Sequence, residues 1–222
     1  MKKYAVIVAG GSGQRMGTQV PKQFLLLHGK PVLWHTLNVF LGAYEDLDII
    51  LVLPEEHMET GKKILYATSE PQRIRIVAGG ATRFHSVQNG LQPIREESVI
   101  FVHDGVRCLL TTSLIHHCYE QALEHGSAIP VIDCRDSVRL ITPEGNEAID
   151  RSRVKLVQTP QTFVSSVLVP AFTVEYREEF TDEATVVEAA GSLVHLVEGE
   201  VNNIKITMPA DLSIAEELLG QG

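Results

Sequence analysis

Cysteine is scarce in this chain of 222 residues, which holds only Cys108, Cys118 and Cys134. The number is odd and no CxxC pair exists. That excludes a disulfide-stapled scaffold and fits free thiols in a reducing cytoplasm. Long apolar runs are missing too, since none reaches the roughly 18 residues a bilayer-spanning helix needs. The apolar stretch after Met1-Lys2-Lys3 stops at Gly10-Gly11-Ser12-Gly13, short of the roughly 7–15 residues of a secretory leader's core. A buried strand entering a glycine loop fits better. Positive charge is in deficit: 19 Lys and Arg against 28 Asp and Glu give −9. That balance argues against a general nucleic-acid binder, yet leaves room for a local basic pocket. No repeat, low-complexity tract or long linker interrupts the chain. With 44% hydrophobic and 21% charged residues, the composition is globular and sufficient for a sizeable core.

Hydrophobic patterning alternates strand and helix. Strands are expected at 4–8, 48–53, 74–78, 98–103 and 127–131, and helices at 31–40, 55–68, 82–91 and 113–125. Thr82 suits an N-cap and Gly126 a C-cap. This βαβα rhythm implies an α/β fold, a mostly parallel central sheet flanked by helices. The rhythm breaks at about 136–157, which reads as two extended arms around a turn made by Pro143 and Gly145. Such a hairpin either packs on its own domain or projects to a neighbouring subunit, and the pattern weighs both equally. A helix at 182–190, strands at 193–197 and 204–206, and a helix at 209–219 complete a single domain over 1–222.

The strongest local feature is Ala9-Gly-Gly-Ser-Gly-Gln-Arg-Met-Gly17, directly after the first strand. Gly10, Gly11 and Gly13 allow close backbone approach and turn successive N–H groups toward an anion, so the loop reads as a phosphate cradle. Known templates fail on it. The P-loop would need Gly-Lys-Ser/Thr where Arg15 or Met16 stands, the dinucleotide fingerprint needs Gly where Met16 stands, and a GxSxG elbow on Ser12 meets Gln14. These failures weigh against kinase, dehydrogenase and serine-hydrolase chemistry. Arg15 within the loop and Lys22 just after it supply cations instead, suited to charge building up on an attacked phosphorus. His116-His117-Cys118 is not a metal site, because adjacent helical positions point about 100° apart. Cys108 reads as a small buried hydrophobe.

The glycine loop with Pro21-Lys22-Gln23-Phe24 resembles the sugar-phosphate nucleotidyltransferases, and among them the family of 2-C-methyl-D-erythritol 4-phosphate cytidylyltransferases. The likeness continues in order through Gly79–Val87, Val102–Arg107, Asp150-Arg151-Ser152, Gln158–Phe163, Thr181–Ala184 and Asn203–Thr207. It implies transfer of the cytidylyl group of CTP to methylerythritol phosphate with release of pyrophosphate, in non-mevalonate isoprenoid biosynthesis. A ribitol-5-phosphate cytidylyltransferase is the near alternative, and a non-catalytic nucleotide-binding regulator is the alternative from another class.

The resemblance also assigns residues. Arg15, Lys22 and Lys205 match the cations around the α-phosphorus. Ala9, Gly10, Gly11 and Gly13 match the loop that holds the nucleotide. Gly80 and Ser86 match contacts to the cytosine edge, with Arg83 orienting their loop. Asp104 and Arg107 match a pair at substrate hydroxyls near a divalent cation, although Gly105, Val106 and Cys108 replace the family's usual residues. Arg151 and Ser137 would reach the substrate of a partner subunit, making an obligate homodimer through the β-arm, and Thr181 belongs to a loop closing on the acceptor. Mg²⁺ is implied, held mainly by the CTP phosphates, with no membrane partner and a cytoplasmic location.

Overall fold

The structure is a computed structural model that describes residues 1–11 and 20–220. β1 (Lys2–Val8) and β2 (Leu26–Leu27) precede β3 (Lys30–Pro31) and α1 (Val32–Ala43). β4 (Leu47–Leu53), α2 (Met58–Leu65), β5 (Ile74–Ala78) and α3 (Arg83–Leu91) follow. Next come β6 (Ser98–Asp104), α4 (Thr112–His125), β7 (Ser127–Asp133), and the pair β8 (Val138–Thr142) and β9 (Gly145–Ile149). The chain ends with β10 (Lys155–Val157), β11 (Gln161–Val164), α5 (Ser165–Ala171), α6 (Glu183–Ala189), β12 (Leu196–Glu198) and α7 (Pro209–Leu219).

One sheet runs β10-β7-β11-β6-β1-β4-β5, with β12 also paired to β7. β6, β1, β4 and β5 are mutually parallel, whereas β11 lies antiparallel between β6 and β7. The expected largely parallel sheet is therefore present, with β11 as an insertion that the alternating rhythm did not reveal. Side-chain alternation divides the core. Ala5, Ile7, Val99 and Phe101 join α1 and α4 residues on one face, while Val6, Ile100 and Val102 join α3, α5 and α6 residues on the other. Strands apolar on both faces need helices on both faces, which is why they read as continuous hydrophobic runs.

Both expected caps form. Thr82 accepts from the His85 N–H, and Gly126 takes φ 83°, a left-handed conformation that glycine adopts without steric cost. Other expectations need correction. Residues 204–206 join no ladder; the side chain of Asn203 and a backbone bond from Ile206 N–H to the Val106 carbonyl (3.1 Å) anchor the segment instead. The second arm ends at Ile149 rather than Val157. Asp150 accepts from the Ser152 N–H and hydroxyl, bending the chain into a 3-10 turn over Arg151–Arg153, and β10 then returns to pair with β7. Helix α2 is shorter than expected, since Glu55–His57 form a 3-10 turn after Pro54. The last strand, β12, is centred later than 193–197.

Candidate active site

The carboxyl ends of β1, β4, β5 and β6 meet in a cleft of about 460 Å³, lined by Ala9, Gly10, Gly11, Lys22, Gly80, Arg83, Ser86, Asp104 and Lys205 among others. Ligands collect at such strand ends in open α/β sheets. Backbone bonds tie the ends together: Ala9 N–H to the Val52 carbonyl (3.0 Å), Gly79 N–H to Leu53 (2.8 Å) and Gly105 N–H to Val8 (2.9 Å). Gly13 and Arg15 lie outside the described residues. On the described side of the glycine loop, buried Gln23 donates to the Ala9 carbonyl (2.9 Å), fixing the segment that carries Lys22 against the end of β1.

The opposite wall is the Gly79–Ser86 turn. A Cβ at Gly80 would come within 2.4 Å of His85 Cβ and 2.9 Å of its backbone carbon, so only glycine fits there. Ser86 accepts from the Gly80 N–H (3.1 Å) and donates to the Thr82 carbonyl (2.9 Å). Its hydroxyl therefore shapes the turn that presents Gly80 and bonds back to its own helix.

Asp104, the last residue of β6, is the electrostatic centre. Lys205 Nζ lies 2.9 Å from one carboxylate oxygen, Arg107 Nε 3.5 Å from the same oxygen, and Arg83 Nη2 3.3 Å from the other. Burial alone would raise the Asp104 pKa. The three cations outweigh it and hold the carboxyl well below the usual range. Arg83 also forms a bidentate pair with buried Glu183, at the start of α6. Burial opposes the Arg83 charge, but Glu183 and Asp104 together push its pKa up. Lys205 remains partly exposed to the cleft, with a side chain 41% accessible. A fixed carboxylate surrounded by more cations than it can neutralise suits an anionic ligand.

The departures at 105, 106 and 108 have a packing reason. A Cβ on Gly105 would meet Ala9 Cβ at 2.9 Å and Leu33 at 3.1 Å, and the Gly105 carbonyl accepts from Thr36 (3.1 Å). Val106 and Cys108 are buried with Leu27, Val32, Ile206 and Ala215. Burial pushes the thiols of Cys108 and Cys118 up to about 12, consistent with packing rather than reactivity.

Four expected residues do not line this cleft, and Arg107 is one of them, joined to it through its pair with Asp104. Ser137 and Arg151 stand at the base of the β8–β9 arm, where Arg151 Nη1 donates to the Arg135 carbonyl (2.6 Å). Thr181 is exposed just before α6, two residues from Glu183. Glu183, Gln23, His103 and Thr159 were not singled out as site residues. A buried carboxylate in the Thr181–Ala184 motif was the available signal for Glu183. The bonds of the other three, Gln23 to the Ala9 carbonyl and His103 to Thr159 and the Arg107 carbonyl, depend on burial that the sequence does not signal.

Among the described residues no three His, Cys, Asp or Glu side chains form a metal cluster. His116 spends Nε2 on the Ala43 carbonyl (2.8 Å) and Cys118 is buried. Asp104 is already shared by three cations. This donor set fits a divalent cation only if ligand phosphates and water supply most of its coordination, the usual habit of Mg²⁺.

A cleft at the ends of parallel strands, edged by glycines and lined by converging cations, is the arrangement of a nucleotidyltransferase. The chain belongs to the 2-C-methyl-D-erythritol 4-phosphate cytidylyltransferase family, whose model matches residues 4–221. It is 47% identical over 219 residues to the cytidylyltransferase of that name from Bacteroides thetaiotaomicron, covering 99% of this chain and 100% of the relative. The Porphyromonas gingivalis W83 enzyme of the same name is 47% identical over 223 residues, covering 98% of each. The crystal structure of 4-diphosphocytidyl-2C-methyl-D-erythritol synthase from Anaerococcus prevotii superposes with a TM-score of 0.84 at 28% identity, covering 99% of this chain and 96% of that one.

Proposed function

We propose that the protein transfers the cytidylyl group of CTP to 2-C-methyl-D-erythritol 4-phosphate, yielding 4-diphosphocytidyl-2-C-methyl-D-erythritol and pyrophosphate. The convergence of Arg83, Arg107 and Lys205 on Asp104 beside Lys22 carries this reading. The attacking phosphate oxygen is already anionic at neutral pH, so the reaction needs alignment and charge stabilisation rather than a general base. Lys22 and Lys205, with Arg15 from the glycine loop, stabilise the negative charge that builds on the α-phosphate as the new P–O bond forms and pyrophosphate leaves. Gly80 presents its backbone to the cytosine edge, and the backbone of Ala9, Gly10, Gly11 and Gly13 holds the triphosphate. Asp104 orients substrate hydroxyls and holds its three cations in place. Mg²⁺, bound chiefly to the triphosphate near Asp104, adds charge neutralisation when present.

The protein works as a single domain whose β8–β9 arm reaches a second copy. Leu140 and Ile141 on the arm are 47% and 77% exposed, and Leu156, Val157 and Leu196 are also exposed on neighbouring strands. That apolar surface suits burial against an identical subunit. Arg151 and Ser137 would then serve the partner's cleft, with Arg151 on the acceptor's phosphate and Thr181 closing over the acceptor in its own subunit. Unpaired Cys108, Cys118 and Cys134 fit a reducing cytoplasm.

Pyrophosphate release from CTP is to be followed with methylerythritol phosphate and with ribitol phosphate in parallel, with UTP and ATP as nucleotide controls. Rapid release with CTP and methylerythritol phosphate alone is expected. Preference for ribitol phosphate would replace the acceptor assignment, and no release with either would overturn the reaction.

A further inference from the structure

A closed ring of hydrogen bonds lies beneath Asp104 and Lys205, and its pivot is a histidine to which no role has been assigned. His103, next to Asp104 on β6, is fully buried, with its ring edge-on to Phe40 at 5.1 Å. Nε2 lies 3.0 Å from the Arg107 carbonyl oxygen and Nδ1 lies 3.0 Å from Thr159 Oγ1. A carbonyl only accepts, so Nε2 carries the proton and Nδ1 accepts from the Thr159 hydroxyl. Thr159 Oγ1, having donated its hydrogen, accepts from the backbone N–H of Asp104 at 3.1 Å. The Thr159 carbonyl accepts from Asn203 Nδ2 at 2.8 Å, and the Asn203 carbonyl accepts from Arg107 Nη1 at 2.8 Å. The circuit closes at Arg107, whose own N–H bonds to the Asp104 carbonyl at 3.0 Å.

We propose that His103 is a positioning residue: through Thr159 and Asn203 it locks the 104–107 turn and the 203–205 segment into one unit, setting where Asp104 and Lys205 stand relative to the bound nucleotide. The inference rests on the reading of the cleft as the cytidylyl-transfer site. Residues 203–207 join no sheet, so these side-chain bonds, with the Ile206–Val106 backbone bond, replace the ladder that would otherwise place Lys205. The ring works in one polarity only. A second proton on His103 would make Nδ1 a donor, turn the Thr159 hydroxyl hydrogen away from it and leave that buried hydrogen without the acceptor it has in the ring. Burial pushes the His103 pKa down to about 3, so the required neutral form persists at neutral pH.

Steady-state kinetics on Thr159→Val and His103→Phe test this, with Lys205→Ala as reference and near-ultraviolet circular dichroism to certify folding. Each positioning variant is expected to lower kcat by about tenfold to a hundredfold while KM for CTP stays within about threefold, because a small displacement of a transition-state group costs rate rather than ground-state binding. His103→Asn, whose amide oxygen can accept from Thr159 in place of Nδ1, should recover much of the rate. The double variant His103→Phe/Thr159→Val should be no slower than the worse single one, as members of one unit behave. A folded Thr159→Val enzyme with wild-type kcat, or losses that multiply in the double variant, would overturn the proposal. Thr159→Val decides the matter if His103→Phe fails to fold. Lys205→Ala separates the two levels: if it is fully active, the site reading fails. If it is crippled while the positioning variants are normal, only the role of His103 fails.

Discussion

Asp104, Arg83 and Lys205 show how one residue's setting decides its part. The same carboxylate on a surface loop would be an ordinary solvated acid. Here three cations from α3, the 104–107 turn and the chain's last quarter enclose it. Lys22→Ala should lower kcat by about a hundredfold to a thousandfold, the cost of losing one transition-state donor, as read from single-turnover rates. Glu183→Ala leaves the Arg83 guanidinium short of its bidentate partner in a largely buried setting, and should destabilise the fold by about 3–5 kcal/mol in urea titration, with Glu183→Gln milder. His103 gives a pH signature. Its folded pKa is depressed mainly by burial, which outweighs the opposing effects of the Asp104 charge and the bond to the Arg107 carbonyl, while the Arg107 and Arg83 charges depress it further. Below about pH 6.5 the unfolded chain binds a proton there that the folded chain refuses, so stability falls as pH falls, by up to about 1.4 kcal/mol per unit. The loss continues until the folded pKa of about 3 is reached. Subtracting the stability curve of His103→Phe from that of the wild type should isolate this slope between about pH 4 and 6. Identical curves would remove His103 as its source.

At the scale of elements, strand ends and helix starts bring the site together, and much of that was legible in sequence. The apolar runs of β1, β4 and β6 are readable because both faces of each strand are buried. Thr82 and Gly126 announced their helix ends through capping chemistry that acts over three or four residues. The 204–206 segment misled for the complementary reason: Ile-Lys-Ile has strand alternation, but it pairs with no strand, and bonds at Asn203 and Val106 hold it instead. The arm was legible as a hairpin, yet its end was not, because the bend at Asp150 depends on one side chain accepting twice from Ser152. If the proposed arm-mediated dimer holds, replacing residues 139–148 with a tight turn should leave the core folded and give a monomer in sedimentation where the intact protein gives a dimer, with loss of turnover. A truncated protein that remains dimeric would remove the arm from the interface.

The whole molecule adds what no element holds alone: a cleft whose walls come from residues nearly two hundred positions apart, completed in our proposal by a second copy. Inactive Lys22→Ala and Arg151→Ala subunits, mixed and allowed to exchange, should regain activity, because each heterodimer then contains one cleft with both groups intact. No recovery with exchange confirmed would return Arg151 to its own subunit. Sequence by itself determined the α/β class, the glycine loop and the order of motifs, since hydrophobic period, capping and close backbone approach are local and leave their mark within a few residues. Tertiary structure alone decided that β11 enters the sheet antiparallel, that Glu183 holds Arg83, and that His103, Thr159 and Asn203 join beneath the cleft. Those outcomes depend on which distant polar groups are buried together, and a buried donor must find its acceptor in space, wherever along the chain that acceptor lies.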